Sequence, residues 1–269
     1  MTFRQYPSSP ALQHLVAYFW TLQAGGADAN DAAYRFVPDG YVDWVFHLGT
    51  PWKYHFPTRH EHKFQHAAHI FGQMKNYVDL YLPDGSFFLL GVKFYPWAVR
   101  NIWKIDMHQL TDKELSLNEL DLPGLTLLEE QIHGEKEIKN MIQRIEAYLS
   151  PWRSAKLQEE VSIAIKQIYK SPLELSFSGL NIQSRRLEQR FQQEIGIPPK
   201  LFQRIVRINR VIEKMIATPR CNFTTLAYQF GYFDQSHFIR DFRQFTGFTP
   251  SSFLQSIKPS GDILNLRIA

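Results

Sequence analysis

The sequence predicts a two-domain α+β chain, a small all-β unit with flanking helices followed by an all-helical unit. Three observations carry this. Through about residue 95, short apolar and aromatic runs alternate with turn residues; the apolar period then lengthens to that of helices; and beyond Pro151 no strand candidate remains. A length of 269 residues accommodates two such domains.

The β unit reads element by element. Tyr41-Val42-Asp43-Trp44-Val45-Phe46-His47-Leu48 is an apolar-aromatic run closed by Gly49. Val78-Asp79-Leu80-Tyr81-Leu82 meets Pro83-Asp84-Gly85, and Phe87 to Tyr95 follows. Pro presets φ and Gly supplies a positive φ, so this pair of runs is expected to form a hairpin. Short strands at this spacing predict a small β-barrel or sandwich. Two helices are expected next, Trp97–Trp103 and a single long one over Leu125–Leu149, whose stripe is Leu128, Ile132, Ile138, Met141, Ile142, Ile145 and Leu149.

Pro151-Trp152-Arg153-Ser154 is the expected boundary, which divides the chain into 1–153, 154–260 and a tail over 261–269. Seven helices are expected behind it, approximately Lys156–Tyr169, Leu173–Ser178, Ser184–Ile195, Lys200–Ala217, Phe223–Phe230, Gln235–Thr246 and Pro250–Gln255. Charge separates the halves as well. Net charge is only +4, yet Lys156 to Lys258 holds 15 Lys and Arg against 8 Asp and Glu, which makes the back third the part that meets a polyanion. The single cysteine, Cys221, excludes an internal disulfide and a multi-cysteine metal site. No run of about 18 apolar residues would span a membrane, and the first residues lack the plan of a signal peptide. A cytoplasmic location without membrane association is expected.

Two stretches of the helical unit are built alike. Leu175-Ser176-Phe177-Ser178-Gly179-Leu180-Asn181 precedes Arg185-Arg186-Leu187-Glu188-Gln189-Arg190-Phe191, Gly196 and Pro198. Leu226-Ala227-Tyr228-Gln229-Phe230-Gly231-Tyr232 precedes Ser236-His237-Phe238-Ile239-Arg240-Asp241-Phe242, Gly247 and Pro250. A short helix, a turn and a longer helix make a helix-turn-helix motif. In the second copy Phe238, Phe242 and Phe245 fall at i, i+4 and i+7 and face inward, leaving Gln235, Ser236, Ile239 and Arg240 toward a groove. In the first, Leu187 and Phe191 face inward, leaving Ser184, Arg185, Glu188 and Gln189 outside. Arg and Gln pair bidentately with guanine and adenine in the major groove, which suits these positions to base readout. The connector Lys200–Ala217 has a buried stripe of Leu201, Ile205, Ile208, Ile212 and Met215, and Arg204, Arg207, Arg210 and Lys214 are expected on its wet face. Its length, roughly 27 Å, can hold two recognition helices about one DNA turn apart.

These residues resemble the AraC/XylS family of transcription regulators over about 100 residues, Lys156 to Leu254. The most specific match is Leu226-Ala227, Gly231-Tyr232-Phe233-Asp234-Gln235-Ser236-His237-Phe238, Arg240, Phe242, Gly247 and Thr249-Pro250. The resemblance implies a non-enzymatic, sequence-specific binder of double-stranded operator DNA. It aligns Arg185, Glu188, Gln189, Gln235, Ser236, Ile239 and Arg240 with groove-facing positions. It departs from the family at Gln183-Ser184, where Ser usually caps the first recognition helix; Asn181 is an alternative cap. It further implies a cupin-like N-terminal barrel that senses a small-molecule effector or mediates dimerisation, with RNA polymerase as another candidate partner. Val37-Pro38-Asp39-Gly40, Val42-Asp43, Phe46-His47-Leu48-Gly49 and Gly91-Val92-Lys93-Phe94 with Pro96 and Ala98 are similar to an uncharacterised N-terminal domain of some family members.

The front half offers one binding candidate. Asp43 and His47 lie at i, i+4 on one strand and share a face, and Trp44 heads a set of aromatic walls with Trp20, Tyr41, Phe46, Phe88, Phe94, Tyr95 and Trp97. His55, His60, His62, His66 and His69 cluster, and His60-Glu61-His62 has the first spacing of a cupin metal site. It falls in a polar stretch, Pro57 to Gln65, that reads as a solvated loop. No metal, cofactor or catalytic residue is therefore expected. The alternative is a metal-dependent barrel enzyme fused to the DNA-binding unit.

Overall fold

The computed structural model describes residues 2–24, 33–56, 61–81, 86–120, 122–154, 159–173, 183–256 and 266–268. Nine described strands precede the first helix: β1 (Thr2–Tyr6), β2 (Val16–Ala24), β3 (Ala33–Phe36), β4 (Val42–His47), β5 (Lys53–Phe56), β6 (Glu61–Phe64), β7 (Ala68–Phe71), β8 (Val78–Tyr81) and β9 (Phe87–Phe94). Helix α1 (Ala98–Trp103), β10 (Glu114–Ser116), α2 (Leu125–His133) and α3 (Ile138–Leu149) complete the N-terminal region. The C-terminal region is helical: α4 (Glu159–Lys170), α5 (Ser184–Ile195), α6 (Pro199–Ala217), α7 (Phe223–Gln229), α8 (Gln235–Thr246) and α9 (Pro250–Ser256), ending in β11 (Leu266–Ile268). The expected α+β, two-part organisation is present.

Among the described residues the strands do not close the expected barrel. The strands form two antiparallel sheets, one ordered β1-β2-β9-β4-β7-β10 and one ordered β11-β3-β8-β5-β6. Two faces of apolar side chains explain why. Along β4, Val42, Trp44 and Phe46 join β9's Leu90, Val92 and Phe94 in a core covered by α1, α2 and α3. On the other face Val45 joins Trp20, Phe71, Phe87 and Leu89 against Tyr54, Val78 and Leu80 of the second sheet. The first sheet is thus apolar on both sides, filled by helices on one and by the second sheet on the other, so layering rather than closure buries it.

Three local expectations change. β8 pairs with β3 and β5, whereas β9 pairs with β2 and β4, so the two runs flanking Pro83-Asp84-Gly85 lie in different sheets and form no hairpin; the turn itself falls outside the described residues. Glu61–Phe64, expected as loop, is strand β6, with His62 opposite His55 of β5. The single helix over Leu125–Leu149 is two. Gly134 caps α2 through its N–H to Glu130 O, and the Glu135 carboxylate accepts the amides of Lys136 and Glu137, so the chain turns before α3 begins.

The helical core gathers Leu187, Phe191, Ile195, Phe202, Ile205, Ile208, Ile212, Phe238, Phe242, Phe245 and Phe253. Residues 261–269 are not simply a tail, because Leu266–Ile268 add to the edge of the second sheet opposite Ala33–Arg35 of β3.

Candidate nucleic-acid interface and ligand cavities

The second helix-turn-helix is fully described. Asn222 starts α7 by accepting the Thr225 amide at 3.0 Å. Gly231 makes the turn at φ +69°, a left-handed conformation that favours glycine. Asp234 then caps α8 by accepting the His237 amide at 2.6 Å, and Gly247 ends it at φ +73°. Phe238, Phe242 and Phe245 are wholly buried. Gln235, Ser236 and Arg240 are exposed and Ile239 is half-buried. Gln235 is tied to α7, because the Thr224 hydroxyl donates to its Oε1 at 3.0 Å.

Of the first motif the structure describes the recognition helix, α5; the preceding stretch Leu175–Asn181 lies outside the described residues. α5 starts at Ser184, with Gln183 in extended conformation at the N-cap and no side-chain capping bond. The absent family serine is thus reflected in an uncapped helix start. Leu187 and Phe191 are buried while Ser184, Arg185, Glu188 and Gln189 are exposed.

Between them, α6 is 19 residues long, about 28 Å. Its basic residues are not the solvated face that their spacing suggested. Arg204 donates to Asp241 of α8 at 2.6 Å and to Gln244 at 2.5 Å; Arg207, itself buried, donates to Asp241 at 3.1 Å and lies over the Tyr232 ring. Arg210 donates to the carbonyl of Tyr169 on α4. Only Lys214 of the four is exposed. Three arginines expected on the wet face therefore bind the connector to its neighbouring helices. The signal that could have shown this is Asp241, an acid between the buried Phe238 and Phe242, where a carboxylate needs a buried cationic partner.

The residues expected to bind a ligand divide between two faces. Trp44 packs into the helix-covered core against Phe94 and Trp103. Asp43 and His47 point between the sheets. Asp43 accepts from Lys93 at 2.7 Å and from the Trp20 indole at 3.3 Å, and Lys93 also donates to Asp39 at 2.7 Å. Burial opposes the charge on Lys93, but the two carboxylates outweigh it and hold the ammonium above its ordinary pKa. His47 is 1% exposed, with neither ring nitrogen hydrogen-bonded, beside His69 and Trp52. Burial, reinforced by His69, pushes its pKa down to about 3, so its ring is neutral. A cavity of about 50 Å³ adjoins them, lined by Asp43, Val45, Gln65 and His69 among others. The expected aromatic wall is dispersed, with Trp44, Phe46 and Phe94 on the helix side and Trp20 between the sheets. Of the histidines, His66 bonds Glu114 at 2.7 Å and His69 is buried in β7. Among the described residues, no three His, Cys, Asp or Glu side chains are placed to hold a metal ion.

A larger cavity, about 660 Å³, lies where the two regions meet. Tyr18, Asp39 and Tyr41 contribute from the sheets; Tyr169, Asn209 and Arg210 contribute from α4 and α6. Burial pushes the Tyr18 and Tyr41 hydroxyls up to about 12, so both remain protonated donors. Direct bonds rim this junction. Asn209 donates to Pro38 O at 2.7 Å, and the Thr111 hydroxyl donates to Gly196 O, the C-cap of α5, at 2.5 Å. Arg35, paired bidentately with Asp79 at 2.7 and 2.9 Å, donates to Thr246 O at the end of α8 and stacks on Phe248. Of its lining, sequence reasoning named Tyr41 as an aromatic wall and missed the surface as a whole, since its residues are scattered over more than 200 positions and share no periodicity.

Comparison with known proteins agrees with this division. Residues 178–256 match a family model described as a helix-turn-helix domain, and residues 4–116 match a domain of unknown function (DUF6597). The search of curated proteins gives no match. Among solved structures, one of ToxT from Vibrio cholerae is 11% identical over 95% of this chain and 98% of that one, with a TM-score of 0.51. Another ToxT structure is 13% identical, covering 88% and 97%, at a TM-score of 0.48. Wild-type ToxT bound to an unsaturated fatty acid is 13% identical, covering 87% and 93%, at 0.45. At such identities the likeness is one of fold. No helix among the described residues is long and apolar enough to cross a membrane.

Proposed function

We infer that this chain, whose residues 178–256 match a helix-turn-helix domain and residues 4–116 a domain of unknown function, is a DNA-binding regulator of transcription of the AraC type, that α5 and α8 read successive major grooves of an operator, and that the N-terminal region responds to a small molecule. The observation that carries the DNA reading is the pairing of two recognition helices of equal length, each with its apolar stripe buried and its polar residues exposed, across one connector. Ser184, Arg185, Glu188 and Gln189 on α5, with Gln235, Ser236, Ile239 and Arg240 on α8, are the proposed contacts. Backbone amides at the helix starts and surrounding basic residues would hold phosphates.

For the effector, the junction cavity is a better candidate than the Asp43–His47 face. Its volume falls within the usual range for ligand sites, whereas the space between the sheets holds little more than a water or two. A ligand in it would touch α6 directly, and with it the spacing of the two recognition helices. A homodimer and a contact with RNA polymerase remain proposals of the family resemblance. The reading as a metal-dependent enzyme draws no support from a ligand set among the described residues.

Selection of bound duplexes from a random pool tests the central claim. A defined site should emerge, bound with a steep salt dependence. Arg240→Ala should weaken that binding about 10- to 100-fold and relax the preference at one base pair. Equal affinity in the variant would remove α8 from the recognition role.

A further inference from the structure

Phe233 is 86% exposed, more than any other large apolar side chain of the described residues. Single exposed apolar residues are ordinary, but this one has a constrained position. Tyr232 before it is 2% exposed and anchored in the helical core, and Asp234 after it caps α8. With both neighbours fixed, the Phe233 backbone is fixed, and its ring is held in water at the N-terminal end of the recognition helix. That end of a recognition helix is the one that enters the major groove. The exposed side chains following it, Gln235, Ser236 and Arg240, are polar and suited to hydrogen-bonding base edges. A phenyl ring has no such capacity and cannot bind a phosphate. The one apolar group that the major groove presents is the C5 methyl of thymine, and Phe is among the side chains that meet it.

We propose that Phe233 is a specificity-determining residue that packs on the C5 methyl of a thymine, at the edge of the base pairs facing Gln235 and Arg240. This rests on the reading of α8 as a recognition helix. It adds to that reading an apolar contact at a position where hydrogen-bond reasoning places none.

The test uses the full-length protein and the site enriched from random duplexes. Each thymidine of that site is replaced in turn by deoxyuridine, which deletes only the methyl, and affinity is read by fluorescence anisotropy for wild type, Phe233→Ser and Phe233→Leu. One replacement should weaken the wild type about fourfold, the equivalent of one methyl taken out of water. The same replacement should leave Phe233→Ser unaffected, while Phe233→Leu should retain part of the effect. The melting temperature of Phe233→Ser should match the wild type, because the ring makes no core contact. The proposal fails if Phe233→Ser binds as tightly as wild type. It fails equally if that variant binds more weakly while every deoxyuridine keeps its wild-type effect, which would place the ring on the sugar-phosphate backbone or on another protein. A wild-type protein that enriches no duplex would overturn the DNA-binding reading itself; an enriched site without methyl coupling would overturn only the role of Phe233.

Discussion

His47 is a polar ring buried almost completely away from water, and this makes it a reporter of pH. Its folded pKa, about 3, lies below the ordinary value of 6.5. Between those values the unfolded chain binds a proton that the folded chain refuses. The stabilisation is therefore complete above pH 6.5 and is lost as pH falls toward 3, at about 1.4 kcal/mol per pH unit in that window. His69, also depressed by burial, acts in the same direction. The expected result is a melting temperature that falls progressively from pH 7 to pH 5, with a shallower slope in His47→Leu. An equal slope in that variant would assign the acid sensitivity elsewhere. The sequence placed Asp43 and His47 on one face correctly, since strand alternation fixes it. It could not tell that Lys93 would neutralise Asp43, because that partner lies 50 positions away on β9.

At the scale of elements, α6 and α8 behave as one piece. Asp241, 3% exposed, receives both Arg204 and Arg207, so the connector orients the recognition helix through a buried carboxylate. Asp241→Ala would leave two guanidiniums without their counter-charge, and a loss of roughly 3 kcal/mol is expected, read by chemical denaturation. Replacing Lys214, an exposed basic residue on the same helix, should change stability by no more than about 0.5 kcal/mol. Helix boundaries were the most legible part of the fold. Ser184–Ile195 and Gln235–Thr246 are as the sequence predicts, because each has an apolar stripe and a glycine at its end. Strand partners were the least legible. Pro83-Asp84-Gly85 carries local turn chemistry, yet the runs around it join different sheets, a choice made by the two-faced apolar pattern of β9 and not by the turn.

For the whole molecule, the N-terminal region holds the C-terminal ends of both recognition helices, through Thr111 at Gly196 and Arg35 at Thr246. At their N-terminal ends Ser184, Arg185, Gln235 and Ser236, the proposed groove contacts, are exposed. Arg35→Ala should cost about 3 kcal/mol, because Asp79 stays buried without its partner. Arg35→Lys keeps the counter-charge but loses the stacking on Phe248, so it should loosen the junction with less loss of stability. A larger radius of gyration by X-ray scattering, at a nearly unchanged melting temperature, is the expected signature. Two regions and a basic C-terminal one were readable from composition alone. Their mode of attachment was not, since backbone carbonyls do most of the accepting and leave no trace in residue type.

The pairing of β11 with β3 gives the chain a closed circuit. It leaves the first sheet at β10, passes through the helices of the C-terminal region, and returns Leu266–Ile268 to the edge of the second sheet. Strands β1 and β11 are both edge strands of the sheets, so a label placed at either reports from that region rather than from α5 and α8. A dissection that expresses the helical region alone carries off β11, and the N-terminal half so made lacks an edge strand of its second sheet.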